Sequence, residues 1–207
     1  MNIRIVSDSS SNILELEGFD YKSVPLKIIS DSKEYVDTPD LDVAKMVEEM
    51  YKSHERFSTS CPNAYDWSKA FEGGENMFAV TITKHLYGCY DAAVNAAEDF
   101  KAENPNAHIH GIDSLSTGGE MQLIIEKLIE LQKKGLSFEE IKDEITEYQK
   151  HTHLIFALRS LNNLAKNGRV NPAIAKIAGV LGIRITGKAD EGHLKTVHKC
   201  KGKAKTL

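Results

Sequence analysis

The chain has 207 residues, of which 41% are hydrophobic and 27% are charged, a composition typical of globular proteins that excludes a low-complexity or fibrous chain. This length predicts one large α/β unit or one domain with a smaller lobe. The net charge of −4 gives no general attraction for a nucleic-acid backbone or an anionic membrane surface, so neither is the expected partner.

The three cysteines, Cys61, Cys89 and Cys200, are widely spaced and predict neither a disulfide framework nor a zinc ribbon. This cysteine usage is typical of a reducing compartment. The N-terminal segment lacks the apolar core of a signal peptide, and no apolar run reaches the length of about 18 residues that a membrane span requires. We therefore expect a cytoplasmic protein without a membrane span.

Short apolar runs alternate with helical patterns along the first part of the chain. Residues 2–6 predict a strand followed by the polar segment 7–12, and Asp40 is the predicted N-cap of the first long helix. The other predicted elements are an apolar run at 24–29, an extended segment at 57–62, a helix from Asn63, strands at 77–83 and 109–112, and helices at 87–100, 117–135 and 137–149, the last opened by a capping box of Ser137 and Glu140. This alternation predicts an α/β domain with a mostly parallel sheet, over residues 1–150.

The pattern changes after residue 150. A strand at 154–158, short helices at 161–168 and 171–182, and two strands at 183–186 and 193–199 joined by a loop at 187–192 follow in order. They predict a second, partly antiparallel α/β lobe over residues 151–207. Because so short a segment buries little core, we expect this lobe to dock on the first domain or to be incomplete.

Polar segments follow three of the predicted strands, namely Ser7–Asn12, Thr83–Gly88 and Asp113–Gly119. Ligands of open α/β sheets bind beyond the carboxyl ends of the strands, where helix N-termini present N–H groups. Loops rich in hydroxyls and poor in lysine suit a carboxylate or a phosphate held by neutral donors, and the extended segment Ser58–Ser60 is a candidate to join them. Ordinary helix capping explains each loop separately.

Six segments occur in the order and context of the DegV family, which the chain resembles from its first strand to its basic tail. These segments are SDSSSN (7–12), VPLKI (24–28), TSCP (59–62), LYGCYDAA (86–93), IDSLSTGG (112–119) and LNNLAKNGRV (161–170). The resemblance implies two α/β lobes with a long-chain fatty acid between them. It further implies a bacterial acyl-phosphate carrier, which is not itself an enzyme and presents the acid to the ATP-binding subunit of a fatty acid kinase, with no cofactor and no metal.

The same resemblance implies the residues that bind the head group of the acid. Thr59 and Ser60 match a family segment that supplies hydroxyls to the carboxylate, and Tyr87, Gly88 and Cys89 match a second such segment. Tyr87 stands where the family has Ser, and Cys89 where it has Thr. The Tyr87 ring therefore either fills the head-group space or points away from it, and we expect the ligand to be displaced.

The resemblance also places a contact for the partner or for phosphate at Arg169, in a Gly-Arg pair that matches the kinase-facing motif of the family. Residues 183–207 carry a net charge of +5, and Lys199, Lys201 and Lys203 are candidates for the same surface; the alternative is a solvated face. Family members continue past the position of Leu207, and a His in that continuation helps to close their head-group site. The alternative function is that of a degenerate or truncated member that acts as an interaction module without lipid.

The residues leave two enzymatic or metal-dependent alternatives. A catalytic thiolate at Cys61 or Cys89 would need a base, and His85 is the nearest in sequence to Cys89, but no known signature accompanies them. A metal site would use the two histidine pairs that alternate along the chain, His108 with His110 and His151 with His153. Two histidines do not make a zinc site, and the GKAKT segment at 202–206 lacks the residues of a nucleotide-binding P-loop.

Overall fold

The computed structural model of the protein describes residues 2–53, 55–158, 160–167, 171, 173, 176 and 183–201. The strands are β1 (Arg4–Asp8), β2 (Asp20–Val24), β3 (Lys27–Ile29), β4 (Glu34–Val36), β5 (Ser58–Ser60), β6 (Asn76–Thr81), β7 (His108–Asp113), β8 (Ile155–Leu158), β9 (Ile183–Asp190) and β10 (His193–Lys201). The helices are α1 (Val43–Lys52), α2 (Ala64–Phe71), α3 (Cys89–Glu103), α4 (Gly119–Lys133), α5 (Phe138–Gln149) and α6 (Asn162–Lys166). The predicted α/β fold is confirmed.

A four-stranded parallel sheet in the order β2-β1-β6-β7 forms the centre of the first domain. Side chains of β6 alternate between its two faces: Phe78 and Val80 pack in the core cluster with α4 and α5, and Met77 and Ala79 pack with α2 and α3. Because both faces are covered, the strand is apolar from Met77 to Val80, and burying Phe78 alone contributes about 2–3 kcal/mol.

Helix α3 packs closely on this sheet through small side chains. Ala93, Ala96 and Ala97 are buried against the sheet. A Cβ atom at Gly111 of β7 would come within 3.1 Å of a methyl group of Val94. The absence of a side chain at Gly111 therefore permits the close approach of helix and strand.

The helix N-caps agree with the sequence in two cases and differ in one. The capping box of Ser137 and Glu140 is present, and Asn63 caps α2. The prediction that Asp40 caps α1 is wrong, because Asp42 occupies the cap and accepts a hydrogen bond from the Lys45 backbone N–H at 2.9 Å. Asp40 lies two residues earlier, in a turn that precedes the helix.

A small antiparallel sheet in the order β4-β3-β5 lies beside the parallel sheet. Its register pairs Ile28 of β3 with Thr59 of β5. The sequence predicts extended conformation at both segments but not their pairing, since strands of three residues show no periodicity that would indicate a partner. This pairing fixes the position of Thr59.

The C-terminal lobe contains an antiparallel sheet in the order β10-β9-β8 together with α6. Its β9–β10 hairpin turns at Glu191 and Gly192, both with positive φ, so most of the predicted loop at 187–192 is strand instead. Two residues with positive φ form the tight turn that matches the twist of a hairpin. Most of the predicted helix at 171–182 lies outside the described residues. None of the described helices combines the length and the apolar character that a membrane crossing requires.

Candidate functional site

A cavity of about 930 Å³ lies between the carboxyl end of the parallel sheet and the C-terminal lobe. This volume is in the range of pockets that hold small organic ligands. Its apolar lining residues are Ile28, Met46, Met50, Phe57, Ile82, Leu86, Phe156, Leu158, Leu161, Leu164 and Ile185. Its polar lining residues are Arg56, Ser58, Thr59, His85, Tyr87, Thr117, Asn163, Asn167, His193 and Thr196. An apolar wall with separate polar groups suits an amphipathic ligand.

The three predicted polar segments meet at the sheet edge that borders the cavity. The Thr83 backbone N–H donates to the Ser116 carbonyl at 2.9 Å, and the Gly118 N–H donates to the Ser10 carbonyl at 3.0 Å. The segments from Ser7, Thr83 and Asp113 are thus bonded to one another, as expected for the carboxyl ends of neighbouring parallel strands.

Asp8 is the buried carboxylate that holds this edge together. One carboxylate oxygen accepts the Ile82 backbone N–H at 2.7 Å, and the other accepts the backbone N–H of Ser10 at 3.1 Å and the Ser10 hydroxyl. Burial raises the pKa of Asp8 to about 6, although these hydrogen bonds act in the opposite direction. Since Ile82 lines the cavity, Asp8 positions part of the cavity wall.

Thr59 and Tyr87, both predicted as head-group residues, meet in the cavity wall. The Thr59 hydroxyl donates a hydrogen bond to the Tyr87 phenol oxygen at 2.8 Å. The end of the Tyr87 side chain therefore lies against Thr59 in the cavity wall. This contact joins β5 to the loop that precedes α3.

The other predicted head-group residues lie next to the cavity rather than in its lining. Ser60 donates a long hydrogen bond of 3.4 Å to the Cys61 carbonyl. Gly88 precedes the first turn of α3 without a side-chain cap, and a Cβ atom there would meet nothing within 4 Å. Cys89 is fully buried, and that burial, followed by the charge of Asp8, raises the pKa of its thiol. A protonated thiol is a poor nucleophile, which argues against a thiolate at Cys89.

The tip of the β9–β10 hairpin docks on Thr83 and His85, a contact that the sequence does not predict. The Thr83 hydroxyl donates to the Gly192 carbonyl at 3.2 Å, and the His85 and His193 rings contact each other with their centroids 4.0 Å apart and their planes tilted by 35°. Both imidazoles line the cavity. The sequence suggests His85 only as a base for Cys89, and nothing in the local sequence pattern distinguishes His193 from a solvent-exposed strand residue.

A second set of contacts between the lobes lies at the end of α6. The Asn167 amide donates to the Phe57 carbonyl at 2.7 Å and accepts from Arg56 Nε at 3.0 Å, and Lys166 Nζ donates to the Glu55 carbonyl at 3.1 Å. These bonds hold α6 against the segment that leads into β5. The cavity is therefore bordered by hydrogen bonds between the lobes at two places.

Three of the four histidines considered as metal ligands contact other side chains. The His110 ring contacts Phe78 edge-on at 6.0 Å, and burial lowers the pKa of His110. The His108 ring lies 5.6 Å from the Phe138 ring, and His151 lies 3.4 Å from a Glu147 carboxylate oxygen. Within the part of the chain that the structure describes, no three His, Cys, Asp or Glu side chains form a group that could hold a metal ion.

Most of the predicted partner contact falls outside the described residues. Arg169 and its neighbour Gly168 lie outside the described residues, and so does Lys203. Lys199 is exposed on β10. The partner surface thus stays a prediction.

Relatives of known sequence match the whole chain. The family model described as "Uncharacterised protein, DegV family" matches residues 2–207. A DegV domain-containing protein from Streptococcus gordonii is 41% identical over 212 residues, and the match covers 100% of this chain and 75% of the relative. The relative is thus longer than this chain.

Solved structures show the same fold. The Fatty Acid Kinase (Fak) B3 protein from Streptococcus pneumoniae, loaded with linoleic acid, is 40% identical with a TM-score of 0.95, over 100% of this chain and 75% of that one. A DegV family protein from Eubacterium eligens, loaded with heptadecanoic acid, is 40% identical with a TM-score of 0.92, over 97% and 73% of the two chains. The six sequence segments, the two-lobed fold around a cavity and these matches lead to one conclusion: the chain belongs to the DegV family.

Proposed function

We propose that the protein binds a long-chain fatty acid in the cavity between its two lobes. The observation that carries this proposal is the cavity of about 930 Å³ with its apolar wall, in a chain that shares its fold with two relatives loaded with fatty acids. Burying about fifteen methylene groups at about 0.8 kcal/mol each gives on the order of 12 kcal/mol before the costs of association. In this proposal the apolar wall therefore supplies most of the affinity, and the polar groups fix the orientation of the acid.

The head group of the acid lies, in this proposal, at the end of the cavity that Thr59 and Tyr87 line, next to Ser60, Gly88 and Cys89. The N-terminus of α3 at Gly88 and Cys89 presents backbone N–H groups, which favour an anion. The hydrogen bond between Thr59 and Tyr87 narrows this end, so the carboxylate is displaced from the Thr59 hydroxyl.

Native mass spectrometry tests fatty-acid binding directly. We expect protein purified from bacteria, or mixed with palmitate, to carry the added mass of one fatty acid. Met50→Glu places a charge in the cavity wall and should abolish the added mass, whereas Tyr51→Glu, at an exposed neighbouring position on α1, should retain it. Wild-type protein that takes up no fatty acid would overturn the proposal and favour a lipid-free interaction module.

We further propose that the protein acts in the cytoplasm as an acyl-phosphate carrier for the ATP-binding subunit of a fatty acid kinase and performs no catalysis itself. The support is the family resemblance and the name of the Streptococcus pneumoniae relative. Arg169 is the proposed contact with phosphate or with the partner.

Replacing Arg169 tests the partner role. Arg169→Ala should lower kinase-dependent phosphorylation of the bound acid and leave fatty-acid binding unchanged. If phosphorylation and binding are both unchanged, the role assigned to Arg169 is wrong.

A further inference from the structure

Two imidazoles contact each other in the wall of the cavity, outside the segments that the family resemblance assigns to the head group. His85 belongs to the loop between β6 and α3, and His193 is the first residue of β10. Their ring centroids are 4.0 Å apart with the planes inclined by 35°, and both rings line the cavity. The pair thus contains one group from each lobe.

The docked hairpin holds this pair in place. Gly192 has a φ of +80°, and a Cβ atom there would lie 2.5 Å from Cδ2 of His85 and 2.5 Å from the Thr83 hydroxyl oxygen. The Gly192 carbonyl accepts the Thr83 hydroxyl at 3.2 Å. So close an approach of backbone to side chains gives the hairpin tip, and with it His193, a defined position.

The hydroxyl that the family resemblance assigns to the carboxylate is already engaged. A threonine hydroxyl has one proton to donate, and that of Thr59 is donated to the Tyr87 oxygen. A carboxylate at this end of the cavity therefore needs a donor other than the Thr59 hydroxyl.

The imidazoles provide such donors. A histidine ring carries at least one N–H group in either protonation state, and both N–H groups and a positive charge when it is protonated. Within the described residues, neither the His85 ring nor the His193 ring forms a hydrogen bond to the protein. We propose that His85 and His193 together hold the carboxylate of the bound long-chain acid, in place of the Thr59 hydroxyl; this inference rests on the proposed function.

Comparing an acid with its alcohol separates this role from simple packing. Palmitate and hexadecanol have the same hydrocarbon chain, but only palmitate carries a carboxylate. We expect the double variant His85→Phe with His193→Phe, which keeps the ring contact and lacks N–H donors, to bind palmitate at least about tenfold more weakly and hexadecanol as wild type does. His198→Phe, on the same hairpin and outside the cavity lining, is the matched control and should change neither affinity.

A second double variant serves as a control for a general disturbance of the hairpin. His85→Gln with His193→Gln keeps an N–H donor on each side chain and should retain most of the preference for palmitate. Wild-type protein that binds neither ligand refutes the proposed function itself. If wild type binds both ligands and the Phe variant loses both equally, or keeps the palmitate preference, the histidine site is wrong while the lipid-binding function stands.

Discussion

At the scale of single residues, the Tyr87 phenol shapes the end of the cavity that we propose for the head group. Its oxygen accepts the hydrogen bond of Thr59, at a position where the family resemblance implies a small serine. A serine side chain would not reach as far across the cavity. One substitution therefore changes both the space and the donor that a carboxylate finds there.

We predict that Tyr87→Ser strengthens palmitate binding by about 1.5–3 kcal/mol, the contribution of a hydrogen bond to a charged group. The change releases the Thr59 hydroxyl and removes the ring that separates it from the ligand. Titration with palmitate measures the effect. Tyr87→Phe is the control, because it keeps the ring and should give a smaller gain; equal affinities of wild type and Tyr87→Ser would refute displacement.

The raised pKa of Asp8 predicts that the stability of the protein depends on pH. Its pKa is raised to about 6 from the ordinary 3.8, so the folded protein holds this proton more tightly than the unfolded chain does. The contribution of Asp8 to stability is therefore highest at low pH, falls as the pH rises from about 4 to about 6, and is constant above that. The loss is on the order of 3 kcal/mol.

Urea denaturation of wild type and Asp8→Asn across this pH range measures the effect. The Asn side chain does not titrate, so the variant lacks the pH-dependent contribution of Asp8. Its amide nitrogen cannot accept the Ile82 N–H, which lowers the stability of the variant by an amount that does not depend on pH. The stability of wild type relative to the variant should fall with rising pH. A pH-independent difference between wild type and Asp8→Asn would contradict the assignment.

At the scale of elements, the β9–β10 hairpin depends on the glycine at its turn. Gly192 has a φ of +80° and would place a Cβ atom 2.5 Å from the Thr83 hydroxyl oxygen. Gly18 has a similar φ of +78° but nothing within 4 Å of its Cβ position. Substitutions at the two glycines therefore distinguish the effect of backbone strain from the effect of displacing the docked hairpin tip.

We predict that Gly18→Ala costs about 1–2 kcal/mol, the strain of a left-handed backbone alone. Gly192→Ala should add to that strain a displacement of the hairpin tip and should weaken palmitate binding. Chemical denaturation and palmitate titration of both variants measure the two effects. If Gly192→Ala binds palmitate as Gly18→Ala does, the docked hairpin tip does not contribute to the site.

At the scale of the whole molecule, the two lobes differ in how much core they bury. Apolar clusters cover both faces of the parallel sheet, whereas the described core of the C-terminal lobe consists of Leu161 and Ile185 with a few partly buried neighbours. Local stability follows the apolar surface that an element buries. We therefore expect the described part of the C-terminal lobe to open first.

Native-state hydrogen exchange should show this difference. We predict that amides of β9 and β10 exchange faster than those of β1 and β6 in the ligand-free protein, and that palmitate slows the exchange of β9, since Ile185 lines the cavity. Amides of α5, whose residues do not line the cavity, are the internal control. Equal protection of both sheets without ligand would contradict the prediction.

The sequence by itself determined the features that depend on near neighbours along the chain. The alternation of apolar runs with helical patterns predicts the α/β class, and the cap at Ser137 is readable because its hydrogen bond reaches only to Glu140. The six ordered segments were sufficient to identify the family. The N-cap of α1 shows the limit of predictions from near neighbours. Asp40 and Asp42 both suit a cap position, and only the backbone conformation determines that Asp42 occupies it.

Only the tertiary structure decided which distant residues meet. The Thr59 hydroxyl reaches Tyr87 because β5 pairs with β3, and His85 meets His193 because the hairpin tip docks on the loop after β6. Neither pairing leaves a periodic signal, since each depends on a few contacts between segments far apart in the chain. The cavity, whose apolar lining is of the same residue types as the core, exists only through the arrangement of the two lobes.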